Sequence, residues 1–475
     1  MAVSNYNPIE GATEAQNRLL SDIAAKFDIS DKRLHKIAQE VQEYIVNGLQ
    51  TDDDENSHPR SLPCRVSYVK SEITQDIKEA EKEERLVLGL TINTSTERIK
   101  IASVKLVHGE PDAVNKQIFY MPKGINDPTR LFEAIAMHVA EFINSHNIVP
   151  LSLTEPLCLG VTIDLPLEET SKMGGRVACG SNVCHWFDNV DIAYNLNSAL
   201  LKLHLPVKVT STTNCVISTL VAAQRLFSPT RVALILNHGI NASYYEAAAK
   251  IPKISGSELA NSSALVAINT ELARFGENSN ALYPTMWDRR IDRESANTGK
   301  HIFEKLVADK YLGEIVRNLI TDFMDAQLIF PKDADATTFS EPYSFFTSYM
   351  TIMDDKSNGL HEIGELLKAG FNIEASRVDR QIVRALCSIV ALRAARMVGA
   401  AVAGIYKRAF EAMSEPVPAV VSISGQLTDM NHPYVQCTID TANVLFKIFG
   451  IEEVTFNVLG EDGYTVGAAL TSLSK

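Results

Sequence analysis

Two blocks of this chain follow one grammar. In the first, three short β-prone runs, RLVLGLTI (85–92), IKIASVKLV (99–107) and KQIFYMP (116–122), are spaced as hairpins. They lead into a helix at 127–146, a buried strand LCLGVTIDLP at 157–166, a helix at 191–203 and a strand at 207–212. Asp127 stands where an N-cap is expected, and Pro128 at the first helical position, where its missing N–H costs nothing. In the second block, RVALILNHGINASYYEAA (231–248) predicts two strands joined by a tight NHGIN turn, and LVAINTELA (265–273) predicts a third. A helical region at 297–327, an alanine-rich buried helix at 381–409, a strand at 419–427 and a helix at 437–449 follow. A strand and loop at 455–463 and a helix at 466–474 complete the block. A hairpin set, then helices and strands, twice over, points among α/β folds to two similar lobes facing a cleft. In α/β folds ligands sit at the carboxyl ends of strands.

Ahead of the first block, residues 12–50 read as helix, with Leu34, Ile37, Val41, Tyr44, Ile45 and Leu49 on one stripe. TDDDENSHPRS (51–61) reads as an acidic linker and KEAEKEER (78–85) as an exposed helix end or loop. The formal net charge of −13, with no basic cluster, gives a nucleic-acid role no electrostatic support. The first residues, MAVSNYNPIEGATEAQ, carry no apolar signal core, and no apolar run reaches the ~18 residues of a membrane span. Seven cysteines, an odd number without a CxxC pair, fit free thiols in a reducing compartment. The cytoplasm is therefore the expected location, with the nucleus left open. Cys179, Cys184 and His185 lack a fourth ligand at usable spacing, so no metal site is expected.

At one strand end the chain reads TSTTNCVIST (210–219): hydroxyls, an amide and a thiol, but no acid. The phrases LGVTIDLP, INTELARF, DRESANTGKHIFEKLVADKYLGEIVR and EDGYTVGAAL run in order elsewhere along it. Together these resemble the hexokinase family, especially the fungal type, in which D-E-S, P-G-Q-Q, F-E-K and Y-L-G-E recur at the spacing of residues 288–317. The resemblance implies a two-lobed, actin-like ATPase fold with a cleft between the lobes. It also implies a division into a helical segment on the large lobe (1–75), a small lobe (76–213), a large lobe (214–464) and a helix returning to the small lobe (465–475). The family's chemistry, phosphoryl transfer from Mg·ATP to a hexose, needs a base for the sugar hydroxyl, glycine turns around the phosphates, an acid near Mg²⁺ and polar groups on the sugar.

Several of those positions differ here. The resemblance sets the catalytic aspartate of V-N-D-T-V-G-T at Asn214 and the sugar-contacting asparagine before it at Thr213. An amide cannot take the proton, so a base contribution of about 10²–10⁴-fold would be lost, and a helix N-cap is the role left to Asn214. The first phosphate turn, L-D-L-G-G-T-N-F-R, falls within 86–106 beside an insertion. Its aspartate becomes Gly89 or Asn93, and its glycines become Thr91 and Ile92 or Ser95 and Thr96. β-Branched residues there resist positive φ and hold phosphate off the backbone, so a plain hairpin is expected. The second turn, G-T-G-x-N, becomes Asn237, His238, Gly239, Ile240 and Asn241, and the adenosine segment D-G-S becomes Ser424, Gly425 and Gln426. After Glu461, Asp462 and Gly463 the family's serine is Tyr464, expected to obstruct a nucleotide.

On the sugar side, Asn241, Glu271 and Glu304 match the family's sugar-contacting asparagine and glutamates, with helix capping or surface pairing as the alternative for the glutamates. Asp164 replaces the serine of F-S-F-P and is the alternative base; Ser181 and Asn182 replace the threonine and lysine of T-K-G-F. The expectation is a non-catalytic hexokinase-like protein, regulatory or sugar-sensing in carbon or amino-sugar metabolism. It would bind a hexose or amino sugar and a protein partner, with no firm cofactor. The alternatives are an ATP-dependent hexose or N-acetylhexosamine 6-phosphotransferase of low or altered activity, using Mg·ATP, and a scaffold partner of an active hexokinase.

Overall fold

The computed structural model describes residues 7–50, 58–108, 113–148, 155–178, 185–257, 259–260, 263–330, 337–354, 359–413, 419–425, 430, 432–452, 454–460 and 463–474. It opens with α1 (Glu14–Phe27), α2 (Asp31–Gly48), β1 (Arg65–Lys70) and α3 (Ile73–Lys82). Then come β2 (Leu86–Asn93), β3 (Arg98–Lys105), β4 (Ala113–Tyr120), α4 (Pro128–Ser145), β5 (Leu157–Ile163), β6 (Leu167–Glu169), β7 (Gly175–Val177), α5 (Ile192–Lys202), β8 (Val207–Asn214) and α6 (Cys215–Leu226). The second half holds β9 (Thr230–Leu236), β10 (Ile240–Ala247), β11 (Leu265–Asn269), α7 (Met286–Glu294), α8 (Ile302–Val307) and α9 (Asp309–Asp325). It ends with α10 (Thr337–Ser340), α11 (Thr347–Asp354), α12 (Leu360–Phe371), α13 (Arg377–Ala412), β12 (Ala419–Gly425), α14 (Pro433–Ile448), β13 (Val454–Leu459) and α15 (Gly463–Thr471).

The repeated grammar is a repeated topology. One sheet runs β4-β3-β2-β5-β8 and the other β1-β11-β10-β9-β12-β13. In both, the hairpin strands pair antiparallel and the two strands that follow pair parallel. β1 adds an antiparallel edge to the larger sheet beside β11. α4 and α5 bury one face of the five-stranded sheet, whereas α2, α9, α13 and α14 pack around the six-stranded one. A third apolar cluster, including Val216, Leu220, Ala469 and Leu470, lies between the sheets. There α15 rests on β2 and β5 and crosses α6. A Cβ on Gly467 would stand 1.8 Å from the Ser218 carbonyl oxygen, so the crossing needs glycine. α13 is long and apolar enough to span a bilayer by length and composition, but its apolar residues are packed inside the larger lobe.

Two predicted elements divide and one unpredicted strand appears. The helix expected over 12–50 breaks at Asp28–Ser30, where the chain is extended and Asp28 and Asp31 both reach Arg396. The region 297–327 divides at Ala308, extended between α8 and α9. β1 was not anticipated, because its residues RVSYVK become a strand only by pairing with β11, about 200 positions away.

Candidate functional site

The carboxyl ends of β5 and β8, the tip of the β2–β3 hairpin and the turn between β9 and β10 converge on one region. Arg98, at the start of β3, lies close enough to His238 in that turn to act on its proton affinity across the cleft. Asn214 closes β8 and opens α6 as its N-cap, with φ −76° and ψ 151°. Its Oδ1 accepts the Val216 N–H at 3.0 Å and its Nδ2 donates to the Leu165 carbonyl at 2.8 Å. Both faces of the amide are thus engaged, and the residue is 5% exposed. Thr213 beside it is buried, with its hydroxyl 2.8 Å from that of Ser218. Burial, and then Asp164 nearby, push the Cys215 thiol well above its ordinary pKa, so it stays protonated.

Asp164 follows β5 and faces the hairpin tip. Its Oδ1 accepts the Thr94 N–H and hydroxyl, both at 2.9 Å. Its Oδ2 accepts the Ser95 N–H at 3.1 Å and lies 2.9 Å from the Ser95 hydroxyl. Asn93 closes the same tip, its Oδ1 accepting the Thr96 N–H at 2.9 Å and the Thr96 hydroxyl at 2.8 Å. The donors of this turn therefore meet side chains of the protein itself. Gly89 lies further back in β2, beneath α15, where a Cβ would stand 2.1 Å from the Thr465 carbonyl oxygen. A side chain at 89 would displace α15 in this packing, whereas Asn93 stands at the strand end with its Oδ1 turned onto its own hairpin tip. Tyr464 is 5% exposed at the head of α15, and the Lys100 ammonium sits 5.4 Å from its ring centre, within cation–π range.

Across the cleft a polar wall is built on the larger sheet. Asn241 Nδ2 donates to Asn269 Oδ1 at 2.9 Å, and Asn269 Nδ2 donates to Glu271 Oε1 at 2.7 Å. Glu271 holds a left-handed backbone (φ 52°), and burial raises its carboxyl pKa, opposed by Arg65 and the Asn269 bond. Glu304, in α8, lies beside Gly239 and 3.3 Å from His301 Nδ1. In the turn, His238 Nδ1 meets Asp309 Oδ2 at 3.2 Å, and that bond raises the imidazole pKa. The Asn237 N–H donates to the Gly239 carbonyl at 3.0 Å, fixing the turn.

Ser424 and Gly425 end β12 against β9; at Gly425 φ is +136° and a Cβ would meet the Leu236 carbonyl oxygen at 1.9 Å. Gly463 opens α15 pressed on Leu459. Ser181, Asn182, Cys179, Cys184, Gln426, Glu461 and Asp462 lie outside the described residues. Three cleft residues escaped the sequence reading: Asn269, His301 and Asp309. Asn269 and His301 sat inside the phrases that carried Glu271 and Glu304, whereas only the fold sets Asp309 against His238.

The arrangement offers hydrogen-bond acceptors and donors to a polyhydroxylated ligand on one side. On the other, the hairpin donors are already engaged. Two family models, both described as Hexokinase, match residues 19–225 and 231–474. Similar proteins include the Kluyveromyces lactis hexokinase, 29% identical over 80% of this chain and 79% of its own. They also include Hexokinase-7 of Oryza sativa subsp. japonica, 32% identical over 72% and 74%. The solved hexokinase of Schistosoma mansoni complexed with glucose superimposes with a TM-score of 0.78 at 24% identity, covering 97% of this chain and all of that one. A second hexokinase crystal structure gives 0.80 at 18% identity, covering 97% and 99%. The fold is the two-lobed, actin-like ATPase fold of these enzymes, and the chain belongs to the hexokinase family.

Proposed function

We propose that this chain binds a hexose or an amino sugar in its cleft without phosphorylating it, and that a protein partner in carbon or amino-sugar metabolism reads the bound state. Asn214 carries the proposal. It stands at the position of the family's base, has no basic lone pair to offer, and is held as an N-cap by both faces of its amide. Two features support it. Asp164 engages the hairpin N–H groups that a phosphate would need. Tyr464 and Lys100 occupy the head of α15, where a small residue would leave room. The Asn241–Asn269–Glu271 chain supports retention of a sugar ligand, because its hydrogen bonds orient those groups before any ligand arrives. Cytoplasmic residence is part of the proposal.

The same polar wall favours a second reading, an ATP-dependent hexose or N-acetylhexosamine 6-phosphotransferase of low or altered activity. Mg·ATP would be its co-substrate and Asp164 its relocated base. The two separate in a coupled ADP-release assay on glucose and N-acetylglucosamine at millimolar Mg·ATP. Turnover indistinguishable from a sugar-free blank is expected; turnover on the order of 1 s⁻¹ or faster, the ordinary range for enzymes, overturns the non-catalytic reading.

A further inference from the structure

A short hairpin carries the small lobe onto the edge of the larger sheet. β6 and β7 pair antiparallel, Leu167 with Val177 and Glu169 with Gly175. The chain between them is fastened to β8: Thr212 donates its N–H to the Lys172 carbonyl at 3.3 Å and its hydroxyl to the Met173 carbonyl at 3.0 Å. β6 itself lies on β1. Glu169 Oε2 accepts the Ser67 hydroxyl at 2.8 Å and the Tyr68 N–H at 2.9 Å, and Arg65 meets Glu168 Oε1 at 2.9 Å. The β1–β11 ladder slips between Val66 and Lys70, which turns the Tyr68 N–H toward β6. Both sides of this contact reach the cleft. Just ahead of β6, the Leu165 carbonyl accepts Asn214 Nδ2 at 2.8 Å. On β1, Arg65 stands opposite Asn269, and its charge opposes the rise in the Glu271 pKa.

We propose that β6 is a bridge between the lobes that releases as the medium turns from mildly acid to mildly alkaline, and that its release weakens sugar binding on the polar wall. Glu169 is met by neutral donors, a hydroxyl and an amide N–H. The charged groups on the elements around it are otherwise placed. Arg65 on β1 is taken up by Glu168, and Arg176 on β7 donates to Asn189 Oδ1 at 3.3 Å. Lys172, at the hairpin turn, has its own pKa lowered by burial, and β8 presents the neutral Thr212. Burial pushes Glu169 up to about 7 against the Tyr68 and Ser67 bonds. Below that pH the contact holds a neutral carboxyl. Above it the contact must hold a charge out of water, and parting β6 from β1 returns that charge to water. The link to sugar runs through Arg65 and Leu165. Release takes Glu168 from the residue beside Asn269 and slackens the segment that holds Asn214, so the wall is less well set before a ligand arrives. Only this link rests on the sugar-binding reading.

Hydrogen exchange of the full chain, read at the Tyr68 amide and its β1 and β6 neighbours and corrected for the intrinsic rate, tests the bridge. Opening should be about tenfold more frequent at pH 8 than at pH 6, from a carboxyl at 4.5 in water and about 7 in the contact. It should be insensitive to low urea, the mark of a local opening. Glu169→Gln, whose amide oxygen can accept both bonds and does not titrate, should abolish the difference. Ser67→Ala, which removes one donor, should raise opening at both pH values. A pH effect as large in Glu169→Gln, none in the wild type, one that follows global unfolding, or unchanged opening in Ser67→Ala overturns the bridge. Glucose calorimetry at the same two pH values tests the link, with a several-fold weaker affinity expected at pH 8 in the wild type and a smaller loss in Glu169→Gln. Titration of Glu271 acts alike in both proteins, so an equal pH dependence overturns the link. No glucose binding at either pH overturns the sugar reading and leaves the exchange result to stand.

Discussion

An asparagine side chain has one accepting and one donating face, and Asn214 uses both. Asn214→Asp restores the acid that TSTTNCVIST lacks, and an aspartate is as good an N-cap. It cannot donate to the Leu165 carbonyl, however, and would set a carboxylate against that oxygen. A loss of about 1–3 kcal/mol in denaturant-unfolding stability is expected. Recovery of phosphoryl transfer should stay below about tenfold, well short of what a positioned base supplies, because the hairpin donors remain engaged. Asp164 makes the complementary case. Asp164→Ala leaves the Thr94 and Ser95 N–H groups without their acceptor and should cost about 1–3 kcal/mol by the same measurement. An Asp164 variant of wild-type stability would show that the tip does not depend on this carboxylate. Setting the family's base at 214 rests on the resemblance, whereas that TSTTNCVIST holds no acid could be read from the chain alone. The engagement of Asp164 could not, because its partners lie 69 and 70 residues away.

Elements meet in this fold through positions too tight for side chains, and Gly89 under α15 is one that stands at a candidate site position. Gly89→Asp, which restores the family's acid at one of its two candidate places, would drive a Cβ into the Thr465 carbonyl. A destabilisation of at least about 1–3 kcal/mol is expected, with loss of the cooperative transition as an equally consistent result; a neutral effect would mean α15 is free to lift. A second contact joins β6 to β1. Glu169 Oε2 accepts the Ser67 hydroxyl at 2.8 Å and the Tyr68 N–H at 2.9 Å, and Arg65 pairs with the neighbouring Glu168 at 2.9 Å. Burial pushes the Glu169 carboxyl up from 4.5 to about 7. A raised carboxyl favours the protonated folded state, so its contribution is complete below pH 4.5 and is lost as pH rises through about 7. Stability measured from pH 5 to 8 should fall on this account, and Glu169→Gln, neutral throughout, should flatten the fall. An equal slope in the variant would assign the pH dependence elsewhere.

At the scale of the molecule, two sheets of matching topology face each other across α6 and α15, and a sugar held on the polar wall, as proposed, would bind the folded chain alone. Saturating glucose or N-acetylglucosamine should therefore raise Tm by a few degrees, while Mg·ATP alone should leave it unchanged. Stabilisation by Mg·ATP equal to that by sugar would show that the nucleotide side is open. The α/β class and the repeated succession of strands and helices were legible in the chain because they rest on local signals: alternation in strands, a stripe of period 3.6 in helices, and caps such as Asp127 with Pro128. The lack of an acid at the strand end 210–214 was legible too, being a matter of residue type, but its meaning came from the family resemblance. Tertiary structure alone decided which groups meet. It joined residues 65–70 to β11, broke the helices at Asp28–Ser30 and Ala308, turned Asp164 onto the hairpin tip, and linked Asn241 through Asn269 to Glu271. Hydrogen bonds act over about 3 Å, so a side chain's role is set by the distant residues that folding brings to it, and those leave no periodic trace in the sequence.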